Sequence, residues 1–234
     1  EKAAKLYDEH GLAQEAIDVY RRLLKLSPDD PNILTALASN FLELGKDEDA
    51  LKVWKNLAQI APKVVEVYRP IASLLEKLGR EAELLGVLEV IAELDVDDIS
   101  VRLQLFEKYL DIDDLEQCGT VIEQLEASGQ EMPVDFYSLR GRYMAQKFRH
   151  ENAYADFQVV LEHFPGNVEV RMLSLSSAGM LGDLTETRKQ FSMLVEHVGE
   201  LYANHLTVAA AAFMHAGSYS EARALYQRVL SLYG

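Results

Sequence analysis

The chain has 234 residues, 49% apolar and 26% charged, a composition of folded protein facing water rather than of a disordered or membrane-spanning chain. Its formal net charge of −15 argues against a nucleic-acid phosphate backbone as the ligand. Its longest apolar runs fall far short of a bilayer span, so no direct membrane insertion by this segment is expected.

In chain order, a first apolar helical stretch carries Ala3, Ala4 and Tyr7 and closes at Gly11, and a second carries Ala16, Tyr20 and Leu23 and closes at Pro28. The pattern returns 34 residues later: Gly45, Ala50, Trp54 and Pro62 stand where Gly11, Ala16, Tyr20 and Pro28 stood. It returns again around Gly79 with Tyr68, Ile71, Ala72, Leu75, Leu88 and Ile91, although Leu84 replaces the alanine and Pro70 sits inside the first stretch, where it should shorten or kink a helix. A fourth copy has Leu105, Tyr109, Ile122 and Leu125, with Asp113 in place of the glycine and Cys118 in the alanine column. After a slip of one residue a fifth reads Tyr137, Gly141, Met144, Ala153, Phe157, Val160 and Pro165. A sixth keeps Gly182, Phe191 and Leu194 with Thr187 at the crossing, and a seventh keeps Leu206, Ala209, Ala210, Phe213, Gly217, Ala222, Tyr226 and Val229. Repetition at one fixed period marks a repeat protein.

The second copy, with Leu34, Leu37, Ala38, Phe41, Gly45, Ala50, Trp54, Leu57 and Pro62, resembles the tetratricopeptide repeat (TPR) family, whose unit is two antiparallel helices crossing at small residues. Each match has a physical reason. Leu37 and Phe41 lie one turn apart on the face toward the partner helix, glycine supplies the left-handed conformation of the turn, and proline cannot extend the second helix. The resemblance implies an all-α, right-handed superhelical solenoid of about seven helix pairs, at residues 1–30, 31–64, 65–98, 99–132, 133–167, 168–201 and 202–234. No extra polar helix covers either end, so a segment of a longer chain is expected. The single cysteine permits no internal disulfide, which leaves the compartment open with a lean to the cytoplasm.

Charge and groove chemistry bear on partners. Residues 81–130 hold 14 acidic side chains, among them Asp111, Asp113, Asp114 and Glu116, against Arg102 and Lys108. These read either as solvated faces and acidic first turns or as a patch that steers a basic partner. In the family the concave surface is lined by the first helix of each pair. That face is polar at Asn32, Thr35, Ala36, Ser39, Arg69, Ser73, Glu76, Gln104 and Glu107. After Ser138 and Arg142 it becomes more apolar, with Met172, Leu173, Ser176 and Met180, then Thr207, Val208, Ala211 and Met214. This stretch either receives a peptide or helix or packs against a neighbouring unit. A family subclass that clamps a C-terminal carboxylate with basic residues is not matched: among Glu1, Lys5, Ala36, Glu66 and Pro70 only Lys5 is basic, and a frame one unit along gives Thr35, Ser39, Pro70, Ser100 and Gln104.

No phosphate-binding glycine loop, nucleophile elbow or zinc signature is present, and the six histidines lack metal spacing. The expected function is a non-enzymatic scaffold, needing no cofactor, that binds a peptide or helix of a protein partner and assembles a multiprotein complex. The alternative is the regulatory or targeting arm of a larger enzyme or of a secretion or export apparatus.

Overall fold

The computed structural model describes residues 2–232; Glu1, the side chain of Lys5 and residues 233–234 lie outside the described residues. The chain forms two compact bodies, Glu1–Leu105 and Phe106–Gly234. Fourteen helices and no strand occur among the described residues. The first body contains α1 (Lys2–Glu9), α2 (Ala13–Leu24), α3 (Pro31–Glu43), α4 (Asp47–Ile60), α5 (Val65–Lys77), α6 (Glu81–Leu94) and the start of α7 (Ile99–Asp111). The second holds the rest of α7, then α8 (Leu115–Ala127), α9 (Val134–Gln146), α10 (His150–His163), α11 (Val168–Met180), α12 (Leu184–Val198), α13 (Ala203–His215) and α14 (Tyr219–Ser231).

The turn that links each odd helix to the next even one requires a left-handed residue. Gly45 has φ +67° although nothing lies within 4 Å of where a Cβ would stand, so backbone conformation rather than crowding selects glycine there. The same column holds Asp113 at φ 60° and Phe148 at φ 57°. Aspartate tolerates this region, but a bulky aromatic does so only under strain. Phe148 is also 80% exposed, so packing offsets little of that cost. Phe148→Gly should raise the free energy of unfolding by about 1 kcal/mol, read as a higher urea midpoint. An unchanged or lower midpoint would remove strain from the explanation.

The crossing column behaves as small residues require. Ala16, Ala50, Cys118, Ala153 and Thr187 are wholly buried, and Ala222 nearly so. Burial, with the nearby Asp114 charge, pushes the Cys118 thiol up to about 11. The thiolate is the reactive form, so Cys118 should resist iodoacetamide at pH 8 in the folded chain and react stoichiometrically in urea. Rapid native alkylation would contradict its burial. The shortening expected at Pro70 does not occur: α5 has 13 residues, the length of α3 and α7. Proline removes one helical hydrogen bond, and the freed carbonyl belongs to the exposed Glu66, where water can satisfy it.

Two sets of polar contacts tie successive pairs together. One links residues 32 apart, two fewer than the repeat: Asn40 donates to Asp8 (2.8 Å), Arg80 to Glu48 (3.2 Å), and Tyr154 to Glu186 (2.5 Å). The other reaches six residues back to the loop before an odd helix: Tyr68 donates to the Pro62 carbonyl (3.1 Å), Arg102 to that of Val96, and Arg171 to that of Pro165 (2.6 Å). Loop carbonyls without helical partners are thereby satisfied.

Candidate partner-binding face

The residues expected to line the first-helix face all remain open to solvent at least in part, from Asn32 and Thr35 on α3 to Thr207 and Met214 on α13. Within that face the expected apolar group divides. Met180 and Met214 are 40% and 42% exposed and Ser176 is exposed, while Val208 and Ala211 are half-buried. Met172 packs on the cluster of Leu175, Leu194, Leu201 and Leu206, whereas Leu173 packs on that of Ala153, Phe157 and Val160. These two therefore spend much of their apolar surface on the interior. The helices beneath are held very close: a Cβ on Gly179 would stand 2.6 Å from Ala212 Cα and from its carbonyl oxygen. Backbones that near leave a surface at Met180 and Met214 rather than a deep cavity.

In the first body a cleft opens instead among its polar first-helix residues. Arg69, Ala72, Ser73 and Glu76 of α5 and Val101 and Gln104 of α7 wall a space of about 190 Å³, floored by Leu84, Leu88 and Ile91 of α6. Its electrostatics are specific. Arg69 donates to Asp98 (2.7 Å) and Asp95 (2.8 Å), and the Asp98 hydrogen bond is the main reason its pKa is raised. Burial acts to raise the Asp98 pKa, but the bonds from Arg69 and the Val101 amide outweigh it and hold the carboxyl below its ordinary value. Glu76 has no side-chain partner among the described residues.

The four acidic residues have different local settings. Asp111 pairs with Arg142 (3.5 Å), Asp113 supplies the left-handed turn, and Asp114 caps α8 by accepting from the Gln117 amide (3.1 Å). Glu116 is exposed in the first turn of α8, where negative charge suits the helix dipole. No group of three or more His, Cys, Asp or Glu residues that could hold a metal occurs among the described residues. His10, His163 and His197 each hydrogen-bond through Nδ1 to the carbonyl four residues back.

The tetratricopeptide-repeat family model matches residues 1–40. The C-terminal part of a TPR repeat-containing protein from Cytophaga hutchinsonii superposes with a TM-score of 0.65 at 18% identity, covering 99% of this chain and 94% of that one. The fold is the tetratricopeptide-repeat fold. YrrB, described as a TPR protein with an unusual peptide-binding site, shares it with a TM-score of 0.62 at 16% identity, covering 76% of this chain and 91% of that one. MamA from Desulfovibrio magneticus RS-1 does so at 0.60 and 16%, over 71% of this chain and 94% of its own. No curated protein matches the sequence.

Within this tetratricopeptide-repeat fold, one set of residues lay beyond sequence reasoning. Arg171, only 2% exposed, donates to the Gln190 side-chain oxygen (3.0 Å), and Gln190 in turn donates to the Tyr154 hydroxyl (3.1 Å) and Glu186 (3.1 Å). Burial lowers the Arg171 pKa, while burial first and then the Glu186 hydrogen bond raise that of Tyr154. One signal was available: Arg102 occupies the column of Arg171 two repeats earlier and makes the same bond to a loop carbonyl.

Proposed function

We propose that the chain is a non-enzymatic scaffold that binds a peptide or helix of a protein partner along its first-helix face and so brings components of a complex together. The observation that carries this reading is the openness of that face: Ser73, Glu76, Gln104, Ser176, Met180 and Met214 all remain exposed and none has a side-chain partner among the described residues. A protein that shares the fold, YrrB, is described as having a peptide-binding site, which supports the same use here. Exposed methionines add a surface that adapts to an irregular apolar guest. The net charge of −15 suits a partner segment with positive charge, whose approach would slow as salt rises.

Selection from a displayed library of random dodecapeptides tests the reading. Enriched peptides should bind the folded chain, and for those with apolar anchors Met180→Gln with Met214→Gln should weaken binding about tenfold, since each buried methionine is worth about 1.5–3 kcal/mol at best. The helical signal and the unfolding midpoint should stay unchanged. Failure to enrich any peptide, or indifference of all of them to every change on this face, would refute it.

A further inference from the structure

We propose that the cleft between α5 and α7 is a pocket for one large apolar side chain of a partner segment that carries a lysine or arginine beside it. The inference rests on the protein-binding reading and adds the place of an anchor and the chemistry of its ligand. Size comes first. A volume of about 190 Å³ lies below the several hundred Å³ of pockets that enclose drug-sized ligands and suits a group the size of one large side chain. At its base lie Leu84, Leu88 and Ile91, each no more than 3% exposed, so a guest meets only the tips of these apolar side chains, and the small Ala72 and Ser73 keep the mouth open.

Charge then selects the neighbour of that side chain. The cation on the rim, Arg69, is already paired with Asp95 and Asp98, so its charge is compensated there. Glu76, on the same rim, is exposed and without a partner, so the uncompensated charge at the mouth is negative. The first 105 residues carry 20 acidic against 13 basic side chains, a bias of the same sign at longer range. An acidic or phosphorylated segment would meet Glu76 and be repelled. A cation placed one or two residues from the apolar anchor would reach it, while Ser73 and Gln104, exposed and without side-chain partners, can hydrogen-bond the ligand backbone.

Fluorescence anisotropy with the full chain tests this. The probe is a fluorescein-labelled nonapeptide with one central leucine followed by two lysines in a glycine–serine background. The wild type should bind it, and changing its leucine to alanine or its lysines to glutamates should weaken binding roughly tenfold and severalfold respectively. Ser73→Leu fills the mouth from an exposed position and should weaken binding roughly tenfold with the urea midpoint unchanged. Glu76→Gln should weaken it about threefold and flatten its salt dependence. No binding of the probe, or binding indifferent to Ser73→Leu, overturns the pocket. Probe binding lost with Met180→Gln and Met214→Gln but retained with Ser73→Leu also overturns it, and leaves the wider protein-binding reading standing.

Discussion

Gly179→Ala should lower the free energy of unfolding by about 3 kcal/mol, whereas Gly86→Ala should raise it by nearly 1 kcal/mol, although both exchange a glycine inside a helix for the best helix former. Alanine gains about 1 kcal/mol of propensity at either position. At Gly86 nothing lies within 4 Å of the new Cβ, so the gain stands alone. At Gly179 the Cβ meets Ala212 Cα and its carbonyl oxygen at 2.6 Å, and these are backbone atoms that no rotamer change can move aside. Helices α11 and α13 must separate, and the buried neighbours Ala178, Ala209 and Ala212 lose their packing. Urea unfolding of the two variants should give midpoints on opposite sides of the wild type. A Gly179→Ala midpoint equal to the wild type would mean that the helices are not in backbone contact.

The second large effect concerns Arg171. Removing it to alanine should cost about 3–5 kcal/mol, because the Pro165 carbonyl and the Gln190 side-chain oxygen lose their donor inside the protein and a cavity replaces the guanidinium stem. Arg171→Met should cost much less, about 1 kcal/mol, since methionine refills part of the volume and relieves the burial of a charge that has no carboxylate hydrogen-bond partner among the described residues. Equilibrium denaturation of both variants measures the difference. Equal losses would show that the hydrogen bonds outweigh volume and desolvation together.

What could be read from the sequence, and what could not, follows from the range of each interaction. Gly45, Ala50 and Trp54 announce a helix pair because their constraints are local: a left-handed turn, a helix crossing and a core anchor within ten residues. Asp113 and Phe148 fit the same column only when its period is trusted over the identity of the residue, since neither is glycine. Arg171, Gln190 and Asp156 read as surface residues by type yet are buried, because their partners come from other helices: Arg171 reaches Gln190, and Arg140 holds Asp156 with two bonds (2.9 and 2.7 Å). The binding face shows the same division. Exposure at Met180 and Met214 follows from their place on a helix, but the inward packing of Met172 and Leu173 depends on neighbouring units. The cleft at Ser73 and Glu76 was invisible for that reason, since a cavity belongs to the spacing of three helices and not to the face of one.

The claim that the odd-numbered helices present the partner-binding face is tested most directly by methyl NMR of the chain labelled at alanine and methionine, titrated with the tightest peptide from the dodecapeptide selection. Ala36, Ala72, Ala211, Met180 and Met214 report on that face, while the exposed Ala82, Ala155 and Ala224 report on the even-numbered helices. Saturable shifts among the first group, with the second group unmoved, are the expected result. Shifts confined to Ala82, Ala155 or Ala224 would place the partner on the second helices and contradict the assignment.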